Sequence, residues 1–190
     1  LDGHFATRGF AVGKNWKIVG QGIDVTYLEL QDVGRTNFKD PDVYIIGTVY
    51  DDDQNHQHDE NHRRDPVWVK LDGWADTFYV ADLTLDCQWP IQSARTAQMG
   101  NGRTVKYGCI HAQCITGIIE RVRAIHWGSN GMCPDSSEAF PIFLETYSDK
   151  ATHVTIQDCL VELQCSYRGG YATGINVVTT QRRPDPKVGS

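Results

Sequence analysis

Val80-Ala-Asp-Leu83-Thr-Leu85, Ile119-Glu-Arg-Val122-Arg-Ala124 and Ile156-Gln-Asp-Cys159-Leu-Val161 carry one apolar triad at the same internal offsets, with starts 39 and then 37 residues apart. A nearly constant period marks a repeat architecture. Leu83/Leu85, Val122/Ala124 and Cys159/Val161 alternate with a period of two, which is the spacing of strands and excludes helical repeats. One such unit cannot bury its apolar face alone, so successive copies must stack over a shared core. The expectation is a solenoid of β-strands.

Each repeat holds a second extended run, at Gly108–Ala112, Phe140–Leu144 and Thr173–Val178, so each coil has more than one side. Upstream, Asn15–Leu30 reads as strand, glycine-rich corner and strand, followed by runs at Val43–Tyr50 and Val67–Leu71. Corners are expected at Gly20/Gly22, Asp72-Gly73, Asn101-Gly102, Asn130-Gly131 and Gly169-Gly170.

Three phrases carry a family resemblance: Ile18–Leu30 (I-V-G-Q-G-x-x-x-T-x-L-x-L), Phe78–Trp89 (F-Y-V-A-D-L-T-L-D-C-Q-W), and Glu138–Leu144 followed by His153–Glu162. They resemble the right-handed parallel β-helix proteins of the pectate-lyase-like (pectin lyase fold) superfamily. The resemblance covers most of the chain and implies an all-β, right-handed, single-stranded parallel β-helix with a shallow groove along one sheet. It implies binding of an acidic or neutral polysaccharide, with calcium common among the lyases. The phrases build rungs and do not specify a reaction, because this superfamily hosts lyases, hydrolases, epimerases, tailspikes and adhesins. The chain lacks the paired N-x-D and D-D motifs of polygalacturonases and the calcium-aspartate and arginine motifs of classical pectate lyases.

With 190 residues, 40% of them hydrophobic, the chain suffices for one domain spanning 1–190. Residues 51–65 are an inserted loop and 182–190 a C-terminal tail. A net charge of −6 with no basic stripe argues against a nucleic-acid partner. No apolar run is long enough to span a bilayer. The start at Leu1, without a targeting segment, suggests a processed or truncated product. Neither terminus offers an amphipathic cap for an open solenoid end, so the expectation is a segment of a longer polypeptide or an assembly, homo-oligomeric or end to end. A secreted or cell-surface protein is expected. Of the six cysteines, Cys109/Cys114 and Cys159/Cys165 suggest small disulfide loops, whereas Cys87 and Cys159 have inward parity.

The stretch 51–65 packs three imidazoles and six carboxylates. His56, His58 and His62 are candidate transition-metal ligands, and Asp51, Asp52 and Asp53 supply hard oxygens for calcium. A solvated loop between rungs accounts for the same composition. His58 and His62 have helical spacing without the H-E-x-x-H order.

Parity places Arg121 and Arg123 outside the core. Either is a candidate to neutralise a uronate carboxylate in β-elimination, with Arg121 binding substrate and Arg123 assisting catalysis. Arg121, however, stands in register with Asp82 and Asp158, an Asp-Arg-Asp column that cross-strand ion pairing explains. Arg123 aligns with Thr84 and Leu160 and has no such structural role. After the second repeat, Trp127 is a candidate stacking platform for a sugar, with Asp135 and Glu138 as the acid and base of a glycosidase. His126 continues the inward parity of Val122 and Ala124. Two readings follow: a secreted polysaccharide lyase or glycoside hydrolase, or a non-catalytic adhesin, surface layer or fibre.

Overall fold

A computed structural model describes residues 3–7, 10–11, 15–30, 42–47, 75–88, 106–129, 140–147, 152–162 and 174–180. Every regular element among them is a β-strand: β1 (Gly3–Thr7), β2 (Phe10–Ala11), β3 (Trp16–Val19), β4 (Thr26–Leu30), β5 (Asp42–Gly47), β6 (Ala75–Asp86), β7 (Lys106–Ile125), β8 (Gly128–Ser129), β9 (Ile142–Tyr147), β10 (His153–Gln157), β11 (Leu160–Val161) and β12 (Ile175–Thr180).

The strands form two parallel sheets. In the first, β1 lies beside β4, β3 and β4 beside β6, β6 beside the C-terminal part of β7, and that part beside β10 and β11. In the second, the order is β2, β5, the N-terminal part of β7, β9 and β12. Strand β7 serves both sheets, and β8 forms the only antiparallel pair among the described strands. Each sheet is laid down in chain order, and the chain alternates between them. A parallel neighbour cannot be reached by a tight hairpin, so each connection here passes through the other sheet.

The repeat explains itself at residue level. Val80 pairs with Ile119 and Ile119 with Ile156, so the three copies are direct neighbours. The triad falls at offsets zero, three and five because Asp82, Arg121 and Asp158 each adopt a left-handed φ of 59°, 52° and 52°. One such residue bends the strand and resets the alternation, so that Val80, Leu83 and Leu85 all face inward at 0% exposure. Ile119, Val122 and Ala124 repeat the pattern. Between β3 and β4 the single bent residue is replaced by an excursion, Gly20 to Val25, that folds over Asp82: the Gly20 and Gly22 amides donate to the carbonyls of Ala81 (3.0 Å) and Asp82 (2.9 Å).

The two sheets share one core. Leu28, Val80, Leu83 and Ile119 from the first meet Ile45, Ile110, Ile142 and Leu144 from the second. At about 1.5–3 kcal/mol for each fully buried large aliphatic, this cluster is the principal stabilising feature. Gly108 makes room for Tyr44, whose ring would lie 2.3 Å from a β-carbon placed there. The last strand of the second sheet, β12, is less covered. Ile175 and Val177 occupy the register positions of Ile142 and Leu144, which are 0% exposed, yet are themselves 40% and 48% exposed.

Strand geometry corrects one cysteine expectation. Cys109 and Cys114 lie on the single strand β7, and five residues of extended chain separate them by roughly 16 Å, beyond disulfide reach.

Candidate functional site

The outer face of the first sheet carries ionic side chains before, at and beyond the left-handed bend. Before the bend, Tyr79 and Glu120 stand on adjacent strands and the Tyr79 hydroxyl donates to Glu120 Oε1. Glu120 also accepts from Arg121 (3.1 Å) and from Gln157 Nε2 (3.2 Å), and the Lys17 ammonium sits 5.7 Å from the centroid of the Tyr79 ring. The hydrogen bond to Glu120 raises the Tyr79 pKa above its ordinary value.

At the bend, the Arg121 guanidinium grips Asp82 through two bonds of 2.5 and 2.9 Å. Arginine is a poor occupant of the left-handed region, and this bidentate pair holds it there. Arg121 is thus bonded to Asp82 and Glu120, the cross-strand pairing that its register with Asp82 predicts. Its hydrogen bonds push the Asp82 carboxyl, and likewise that of Glu120, below the usual carboxylate range. A depressed folded-state pKa contributes stability that is complete above about pH 4 and is lost as pH falls through the folded value. Arg121→Gln is therefore expected to be less stable than the native chain at neutral pH, with the difference shrinking as pH falls below about 4. Denaturant midpoints of the two proteins across pH test this, and a constant gap would refute the pairing.

Beyond the bend, Arg123 also has a structural partner. Its Nε donates to Glu162 Oε1 at 2.6 Å, with Asp24 3.6 Å from Nη1. The bond to Glu162 raises the arginine's pKa, so it remains a cation. Glu162 lies two positions diagonally from Arg123, just past the end of β11, so straight alignment of the repeats does not pair the two.

The densest cluster is at the C-terminal ends of the same strands. Glu29 and Asp86 are direct register partners on adjacent strands, both turned outward. Like charges directly opposite each other are unfavourable, and donors surround this pair. His4 Nδ1 is 2.5 Å from Glu29 Oε1, and its ring stacks on Tyr27 at 4.3 Å. Gln88 spans the two, its side-chain amide 3.2 Å from Glu29 Oε2 and its backbone N–H 2.8 Å from Asp86 Oδ1. His126 Nδ1 is 2.8 Å from Asp86 Oδ1. Gln88 and His126 both have left-handed backbones, with φ of 49° and 51°. Left-handed non-glycine residues cost energy and gather where geometry serves a purpose.

That left-handed φ corrects the parity expectation for two residues. His126 turns out onto Asp86 instead of entering the core. Trp127 takes the inward place at 3% exposure, so it offers no ring face to a sugar. Its Nε1 has no hydrogen-bond partner among the described residues. Partly exposed aromatic surface lies instead on the outside of the second sheet, where Phe143 stacks on His111 (4.8 Å) and on Phe140 (5.1 Å) and His111 bonds Glu145 at 3.1 Å.

Asp135 and Glu138, and the metal candidates Asp51, Asp52, Asp53, His56, His58 and His62, lie outside the described residues. Among the described residues no group of three or more His, Cys, Asp or Glu is arranged to hold a metal ion, and no helix is long and apolar enough to cross a membrane.

Compared with known proteins, the chain matches no protein-family model, no curated protein and no solved structure.

Proposed function

We propose that this chain is a secreted or cell-surface β-solenoid of the pectate-lyase-like kind, right-handed, which lays a neutral polysaccharide along the outer face of its first sheet and hydrolyses it. The observation that carries the reading is the Glu29–Asp86 pair, set side by side on adjacent strands and held by His4, Gln88 and His126.

Adjacent parallel strands stand about 4.8 Å apart, so the two side chains leave neighbouring backbone positions on one face, and a retaining glycosidase sets its two carboxyl groups about 5–5.5 Å apart. Asp86, fixed by two donors, suits attack on the anomeric carbon. Glu29, beside the exposed imidazole of His4, suits protonation of the leaving oxygen and later deprotonation of the incoming water.

Charge decides between hydrolysis and β-elimination. Arg123 is bonded to Glu162 with Asp24 3.6 Å from its Nη1, and Glu29 and Asp86 stand two positions further along the same face. A polyuronate would bring its own carboxylates against four others, and both Arg121 and Arg123 are bonded to protein carboxylates. A neutral chain pays no such repulsion. Calcium, expected from the resemblance, would be held by the carboxylates of 51–65 and enters no step above. Equilibrium titration with neutral and uronate oligosaccharides tests the binding half. The neutral series is expected to bind and the uronates to bind weakly or not at all, and the reverse order would overturn the assignment.

A second reading draws on the exposed inner positions Ile175 and Val177. They favour an assembly in which another coil, from a second copy, stacks on the last one. Sedimentation velocity over a concentration series would show association that Val177→Lys abolishes. A concentration-independent monomer would exclude it.

A further inference from the structure

We infer that Cys87 and Cys109 are a cross-linking site, joined by a disulfide when the chain folds in an oxidising compartment. The inference is independent of any polysaccharide, so it stands or falls apart from the function above.

The two sulfurs are 3.4 Å apart. A disulfide needs about 2.05 Å, so the thiols have little more than 1 Å to close. Cys87 follows the last residue of β6 in the first sheet, and Cys109 lies near the start of β7 in the second sheet. The bond would tie the end of one sheet strand to the next strand of the other sheet and close the crossing between them. A cross-link over such a crossing restricts the unfolded chain more than the folded one.

Both sulfurs belong to the core at 0% exposure, and Cys109 also contacts the Leu85 carbonyl at 3.5 Å. Burial sets the order of events. A disulfide-bonded oxidant, a dithiol oxidoreductase or glutathione disulfide, must reach one thiolate before the coil closes and form a mixed disulfide. The second cysteine then displaces it. Two protons and two electrons leave the pair, and the oxidant departs as two thiols. After the core closes, the same burial keeps reductants out.

The other described cysteines do not compete. Cys114 lies five residues from Cys109 along the same extended strand β7, beyond disulfide reach of it. Cys159 lies between β10 and β11, which pair with β7 on the side away from β6, and its sulfur lies against the Ile119 and Gln157 carbonyls.

The test is peptide mapping of the whole chain secreted through an oxidising compartment and denatured in excess alkylating agent without reductant. The expected result is a linked peptide pair holding Cys87 and Cys109 and no label at either. Treatment of the native protein with reductant before alkylation should leave the bond intact, whereas treatment after denaturation should label both fully. Labelling of both in the unreduced, denatured protein would overturn the inference, as would either one linked to a different cysteine. The Cys87→Ser/Cys109→Ser double variant supplies a second reading. Its unfolding midpoint should be unmoved by reductant, while that of the native chain should fall to a lower value once the bond is reduced.

Discussion

Replacing Gly20 by alanine is expected to destabilise the protein by about 3 kcal/mol, at the upper end of what overpacking a core costs. A β-carbon at position 20 would stand 2.1 Å from the Asp82 carbonyl oxygen, 2.8 Å from the β-carbon of Thr26 and 2.9 Å from that of Leu83. The first of these is backbone, and it cannot swing aside as a side-chain tip would. Relief would have to come from the excursion itself, which the Gly20 and Gly22 amides pin to the neighbouring coil and into which the Thr84 hydroxyl donates at the Ile23 carbonyl. Lifting it would strip a partner from Thr84, which is 0% exposed. Denaturant unfolding of Gly20→Ala should show a lowered midpoint with an unchanged slope. A midpoint equal to that of the native chain would mean that the excursion does not lie over Asp82.

The second large effect is on turnover. Glu29→Gln and Asp86→Asn each keep the shape of a side chain that accepts hydrogen bonds while removing its capacity to exchange a proton or attack carbon. Glu29→Gln is expected to reduce hydrolysis of a neutral polysaccharide by about 100-fold or more, the typical contribution of a positioned acid–base group, and Asp86→Asn, which removes the nucleophile, by more. Oligosaccharide binding and the unfolding midpoint should change little. Loss of binding together with turnover would point to a merely structural role. Retention of turnover in both variants would remove the pair from the chemistry. His126→Asn is expected to cause a smaller loss, because the imidazole acts on substrate only through Asp86, and its effect should be weaker than that of Asp86→Asn at every pH.

Much of the fold is legible in three phrases. The apolar offsets of Val80, Leu83 and Leu85, repeated at Ile119 and Ile156, give the parallel stacking. They also conceal the reason for their own spacing, because a skip from two to three residues requires one left-handed backbone, which only the φ of Asp82, Arg121 and Asp158 discloses. The Asp82–Arg121 pair is legible because it lies straight across one period. Glu162 is not, because long side chains also reach diagonal neighbours, and alignment by period sees only the straight partner.

His126 and Trp127 show the limit of parity. Alternation holds only along extended chain, so a single left-handed residue exchanges inside for outside. The Glu29–Asp86 pair was hidden differently. Its partners are offset by neither 39 nor 37 residues, because the excursion after Gly20 and the long stretch preceding β6 both interrupt the period. A signal was nevertheless present, since Leu28-Glu29-Leu30 and Leu85-Asp86-Cys87 share one apolar–acid–apolar ending. Outward carboxylates at matching strand ends become neighbours whenever the strands pair in parallel.

The most direct test of the central claim is mass spectrometry of the products formed when the native protein is incubated with neutral and uronate polysaccharides, in calcium and again in chelator. Hydration across the glycosidic bond adds one water per cleavage, so the outer-face pair predicts fragments of neutral chains carrying that added mass. Unsaturated fragments from the uronates, or the absence of fragments from every neutral chain, would contradict it.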